Sequence, residues 1–110
     1  MIIGERRNNM EVKFTENEVQ IMHTALEQWG LNAQVGQAIE ESAELIVVLQ
    51  KFTNRTPTPD SVERILDEIA DVEMMLAQMR LALDIDDETL RKRIESKFER
   101  LSKYLAEDTA

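Results

Sequence analysis

The chain has no cysteine and one histidine, His23, among its 110 residues. Without thiols there are no disulfides and no thiolate metal sites. One histidine cannot supply the paired imidazoles of most zinc and di-iron sites. Only 3 glycines and 2 prolines interrupt the chain, which suits long helices joined by few turns. No apolar run approaches the roughly 20 residues of a membrane span. The N-terminal Met1-Ile2-Ile3-Gly4-Glu5-Arg6-Arg7 lacks the apolar core of a leader peptide, so a cytoplasmic protein is expected. Positive charge is short as well: 13 Lys and Arg face 22 Asp and Glu, a net charge of −9. That balance opposes nucleic acid, which is held through cationic contacts to phosphates, and it opposes an anionic membrane surface. A chain this acidic would need metal ions as intermediaries to hold a polyphosphate.

What is present is helical. Hydrophobic residues make up 43%, enough for a core. A domain this small still leaves much apolar surface exposed, and oligomerisation is the natural supplement. Residues 1–14 carry no period and read as a loose arm. Thr15 and Glu18 have capping-box spacing, and Val19, Met22, Leu26 and Trp29 follow on one helical face. Gly30 is placed to stop this helix. Asn32 can cap a second helix to about Phe52, with Val35, Ile39, Ala43, Ile46 and Leu49 as its main apolar face. Val47 and Val48 make that helix apolar on a second side. Thr53-Asn54-Arg55-Thr56-Pro57-Thr58-Pro59 is a short loop. Asp60 or Ser61 caps a third helix to about Leu83, whose stripe is Ile65, Ile69, Val72, Leu76 and Met79. Asp86 caps a fourth, about 87–105, with Leu90, Ile94, Phe98, Leu101 and Leu105 on one face. Residues 107–110 should fray. The pattern predicts one all-α domain over 15–106, bundle-like and of four helices, with sequential neighbours antiparallel.

Two acidic pairs lie inside the apolar runs: Glu41 with Glu44, and Glu68 with Asp71. Residues three apart share a helix face, so each pair can aim two carboxylates one way. Four gathered carboxylates need a compensating cation, and oxygen-only ligation suits a hard ion. At about 100° per residue, Glu68 projects inside the apolar arc of its helix, between Val72 and Met75. A carboxylate there is costly unless it is paired or binds a cation. Asp71 lies at the edge of that arc, Glu41 borders Leu45 and Phe52, and Glu44 is the most solvent-like of the four. The alternative is salt bridging to Lys51, Arg55, Arg64, Lys97 or Arg100.

Trp29-Gly30 with Gln34, then Glu40-Glu41-Ser42-Ala43-Glu44-Leu45-Ile46, then Asp67-Glu68-Ile69-Ala70-Asp71-Val72, resemble the MazG-like nucleotide pyrophosphohydrolases. That family belongs to the all-α NTP pyrophosphatases, with dimeric dUTPases and phosphoribosyl-ATP pyrophosphatase as relatives. The resemblance covers about residues 15–105. The family pattern of E-x-x-E and E-x-x-D falls on Glu41, Glu44, Glu68 and Asp71, and a following K-x-x-R falls on Lys97 and Arg100.

The resemblance implies hydrolysis of a (deoxy)nucleoside triphosphate to the monophosphate and pyrophosphate, with Mg²⁺ as cofactor and Mn²⁺ as a substitute. It implies metal ligation by Glu41, Glu44, Glu68 and Asp71, and a water-orienting role for Glu40. Lys97 and Arg100 would neutralise the outgoing pyrophosphate, and Trp29 and Gln34 would contact base or sugar. It also implies a homodimer or homotetramer. The runner-up readings are a phosphoribosyl-ATP pyrophosphatase-like enzyme and a catalytically silent helical module for protein association. A ferritin-like oxidase needs Glu-x-x-His pairs, which the chain lacks.

Overall fold

Local signals set the helix ends. In the computed structural model, which describes residues 12–55 and 57–109, four helices follow in order: α1 (Glu16–Trp29), α2 (Leu31–Thr53), α3 (Pro59–Ala82) and α4 (Asp87–Thr109). Of the expected arm, residues 12–14 have no regular structure and 1–11 lie outside the described residues. At the start of α1 the Thr15 hydroxyl accepts from the Glu18 N–H at 3.1 Å, and the Glu18 carboxylate accepts from the Thr15 N–H at 2.8 Å. Both orphan donors of the expected capping box are satisfied.

Gly30 ends α1 at φ 86° and serves as the N-cap of α2 as well. Its N–H donates to the Leu26 carbonyl at 2.9 Å, and its carbonyl accepts from the Gln34 N–H at 3.2 Å. Asn32 is therefore inside α2 and does not cap it, because one glycine turns the chain by itself. The cap of α3 also differs from expectation. Thr58, not Asp60 or Ser61, accepts from the Ser61 N–H, and Pro59 takes the first helical position, where its missing N–H costs nothing.

The end of α3 is tied by the Ile85 N–H to the Arg80 carbonyl at 2.9 Å and the Asp84 N–H to the Leu81 carbonyl at 3.4 Å. This is a Schellman arrangement with Asp84 in the left-handed position, at φ 55°. Asp86 caps α4 as expected, its carboxylate accepting from the Thr89 N–H at 2.7 Å. Helix α4 then continues to Thr109, past its expected end near 105 and through most of the expected frayed tail.

The long helices α2 and α3 form the main packed pair, and α1 leans on both. The short link between α2 and α3 makes them antiparallel. The backbone of α4 packs against none of the other three; an Arg80–Asp87 ion pair at 3.6 Å holds only its first turn to α3.

The face that α2 turns to α3 is not the expected one. Gln34, Ala38, Glu41, Leu45, Val48 and Phe52 are buried or half-buried, whereas Val35, Ile39, Ala43, Ile46 and Leu49 are exposed, Ile39 at 66%. On α3, Ile65, Val72 and Met79 are half-buried as expected, but Ile69 and Leu76 are exposed. On α4 only Leu90 and Ile94 are half-covered, and Phe98, Leu101 and Leu105 face outward. The buried centre consists of Met22, Met75 and Ala77 with two amides, Gln34 and Gln78.

A carboxylate cluster as candidate metal centre

The face of α2 that meets α3 carries an acid where a core side chain would be expected. Glu41 lies level with Ala38 and Leu45 and is half-buried like them. On α3, Glu68 occupies the matching strip with Ile65 and Val72 and is also half-buried. Helix spacing adds Glu44 to Glu41 and Asp71 to Glu68. One carboxylate oxygen each from Glu41, Glu44 and Glu68 lie within 4.8 Å of one another. Asp71 stands against Glu41, and the two carboxyls interact. The structure thus brings Glu41, Glu44 and Glu68 together between α2 and α3, with Glu44 the exposed member and Asp71 set against Glu41.

The electrostatics are those of a site short of positive charge. Among the described residues, none of the four acids forms an ion pair. Arg64 pairs instead with Asp60 at 3.7 Å, and among the described residues Lys51 and Arg55 form no ion pair. Glu41 Oε1 accepts from Gln37 Nε2 at 2.8 Å. The other oxygen, Oε2, is buried without a hydrogen-bond partner, and so is Glu68 Oε2. Buried oxygens of this kind are costly to leave unmet. Burial raises the Glu41 carboxyl above the ordinary carboxylate range; the charges of Asp71 and Glu44 raise it further, while the Gln37 hydrogen bond opposes them.

These residues fit a small hard cation. The donors are all oxygen, and two of them are orphaned inside the helix pair. Mg²⁺ ligands at ~2.0–2.1 Å sit roughly 2.9 Å from their neighbours, so the trio needs a small contraction to close on such an ion. Glu41, Glu44, Glu68 and Asp71 could hold it and leave positions for water or phosphate oxygens.

The other expected residues are placed differently. Glu40 is exposed and points away from the strip that holds Glu41. Lys97 and Arg100 sit on α4, whose backbone touches neither α2 nor α3, so within one chain they do not join the acids. Gln34 is 4% exposed in the packed centre. Trp29 is 62% exposed at the end of α1. Two residues went unread in the sequence. Gln37 holds Glu41, and its i, i+4 spacing was a usable signal. Gln78 is buried with a free carbonyl oxygen, and nothing in the local sequence marks it.

The arrangement defines a class: an all-α protein with a carboxylate cluster between its two central helices. No protein-family model, curated protein or solved structure matches the chain. Among the described residues no helix is long and apolar enough to cross a membrane.

Proposed function

We propose that the protein is a MazG-like, Mg²⁺-dependent nucleoside triphosphate pyrophosphohydrolase of nucleotide-pool house-cleaning. The observation that carries this reading is the gathering of Glu41, Glu44, Glu68 and Asp71 with no cationic side chain among them and two oxygens orphaned. A triphosphate and four acids repel each other, and a divalent ion between them reverses the sign of the interaction.

When bound, the ion would polarise phosphate oxygens and offset charge at the reacting phosphorus. The chain supplies the rest. Gln37 fixes one oxygen of Glu41. Burial and the neighbouring acids raise the Glu41 carboxyl, a cost that a cation at the site would relieve, and Asp71 beside it can accept a proton from an attacking water. Water adds across the α–β anhydride, giving nucleoside monophosphate and pyrophosphate. Such a substrate goes with a cytoplasmic enzyme.

Lys97 and Arg100 need a second copy to reach the acids, and a homodimer or homotetramer is part of the proposal. Two quantities support it. The accessible surface is 9638 Å², against about 6,200 Å² for a compact monomer of this mass. The radius of gyration is 17.0 Å, against about 13 Å for a compact domain of some 100 residues.

The test is pyrophosphate release from a panel of dNTPs and NTPs with Mg²⁺. Glu41→Gln and Asp71→Asn should each lower release by about 10²-fold or more, since each removes a group acting on the reacting phosphate. The exposed apolar faces also suit the silent association module, and no release from any nucleotide by the folded protein would select that reading instead.

A further inference from the structure

A pocket of about 240 Å³ opens where α2 hands over to α3. Lys51 and Phe52 from the end of α2, Arg55 from the link, and Asp60, Ser61 and Arg64 from the start of α3 line it. Three cations and one acid therefore border one small space. In a chain of net charge −9, a pocket with surplus positive charge runs against the trend. Like charges held this close repel each other, and an anion between them reverses the sign of the interaction.

Two of the three cations have no acid of their own, since among the described residues Lys51 and Arg55 form no ion pair. Arg64 meets Asp60 at 3.7 Å, with both side chains mostly exposed. That is longer than the ~2.7–2.9 Å of a charge-assisted hydrogen bond, and an exposed pair of this kind holds its arginine weakly. The hydroxyls in the wall are engaged in capping α3. Thr58 Oγ1 accepts from the Ser61 N–H at 3.1 Å, and the Ser61 hydroxyl donates to the Thr58 carbonyl at 2.9 Å. The donors left for a ligand are chiefly the cations.

The pocket is smaller than the ~300–1,000 Å³ of drug-sized ligands, so it suits a small ion. A carboxylate is satisfied by one guanidinium through two parallel bonds. Two guanidiniums and an ammonium, reaching in from two helices and their link, match a group with more charge and with oxygens pointing in several directions. We propose that this pocket binds a phosphate or diphosphate anion directly through Lys51, Arg55 and Arg64, with no metal ion between them. It is separate from the carboxylates. Arg64 lies one turn before Glu68, about 6 Å along α3, and Lys51 two turns after Glu44, about 10 Å along α2. The site goes beyond the nucleotide reading and does not rest on it. Its anion has two sources: a free phosphate or diphosphate ion, and the diphosphate end of a larger ligand held at the carboxylates.

Inorganic phosphate and pyrophosphate, titrated calorimetrically into the intact protein in metal-free buffer, test the pocket. Without a metal the carboxylates repel both ions, so binding reports the cations alone. Pyrophosphate should bind saturably, more tightly than phosphate, and raise the melting temperature. Lys51→Gln combined with Arg55→Gln should weaken it about tenfold or more, since each removes a bond to a charged group. Both side chains are exposed, so the unliganded variant should melt as the native protein does. Asp60→Asn, which removes the opposing charge and leaves Thr58 to cap α3, should tighten binding. Arg93→Gln combined with Lys103→Gln, on α4, should leave the affinity as it is.

No saturable binding of either ion overturns the proposal. So does equal weakening by the two pairs of substitutions, which would show diffuse attraction to charge. With the site established, pyrophosphate release from nucleotides in Mg²⁺ separates the sources. Release that falls in the Lys51 and Arg55 variant assigns the pocket to the outgoing end of the substrate, and unchanged release assigns it to a free ion. Pyrophosphate binding with no release from any nucleotide removes the enzyme reading alone. Release without metal-free binding removes the pocket alone.

Discussion

Glu41 is held from two sides that disagree. Gln37 supports its ionised form through a 2.8 Å hydrogen bond, while burial and the neighbouring acids oppose that form. The opposition wins, and its carboxyl is raised from an ordinary value of 4.5. The native state therefore binds this proton more tightly than the unfolded chain does. Stability from this group is fully present below the ordinary value and is lost as pH rises through the raised native one. Asp86 has the opposite sign. Its hydrogen bonds from the Thr89 hydroxyl and N–H lower its carboxyl, so its contribution is present above the ordinary carboxylate range and is lost as pH falls through the lowered value. Melting temperature measured in chelator from pH 4.5 upward should decline, and Glu41→Gln should flatten the decline. Identical profiles for the two proteins would clear Glu41 of the effect. The sequence made much of this legible, because helix phase alone put Glu68 in an apolar arc and Glu41 at the border of one. It did not make Gln78 legible as a buried residue. An amide is neutral and common on helices, and only packing tells a buried one from an exposed one.

Among the elements, the ends were easier to read than the faces. Thr15, Gly30 and Asp86 act through bonds to residues within four positions, so their roles are written locally. The start of α3 was read two or three residues late, because Thr58 and Pro59 sit in a stretch that also reads as loop. The face of α2 was misread for a different reason. The helix has two apolar strips, and hydrophobicity ranks them without saying which meets α3 and which meets something else. The more apolar strip, with Ile39 and Ile46, is the exposed one. At the other end of α3, Asp84 holds a left-handed conformation at φ 55°, which costs most side chains roughly 1–2 kcal/mol and glycine almost nothing. Asp84→Gly should stabilise the native state by up to ~1 kcal/mol, read as a shift in the urea midpoint at constant slope. A loss of stability would mean that the Asp84 side chain does something its backbone does not require.

At the scale of the whole molecule, several large apolar side chains of α2 and α4 are exposed. Ile39, Ile46 and Val47 on α2 and Phe98, Leu101 and Tyr104 on α4 are exposed, and α4 has no helix beneath it. Standard association buries ~800 Å² per partner, and obligate dimers bury more; a dimer through these faces is the association proposed above. Sedimentation should give a dimer or tetramer. Ile39→Asp should shift it toward monomer and make the melting temperature fall with dilution, because assembly then limits stability. If the residue stayed in water the same change would be worth within about 0.5 kcal/mol, and an unchanged sedimentation coefficient would show that this face is not the contact.

Gly30 has one more effect, a mechanical one. It is the whole of the joint between α1 and α2, at φ 86° and ψ 165°, and no atom lies within 4 Å of where a side chain would begin. A side chain at that joint would meet nothing, so the tilt of α1 is set by one pair of torsions and by the packing of α1 on α2 and α3. With 14 residues, α1 is a lever about 21 Å long. A ten-degree turn at Gly30 would carry its far end by about 4 Å on that length. Such a turn would move the Glu16 end of α1 far more than the Trp29 end, which adjoins the hinge.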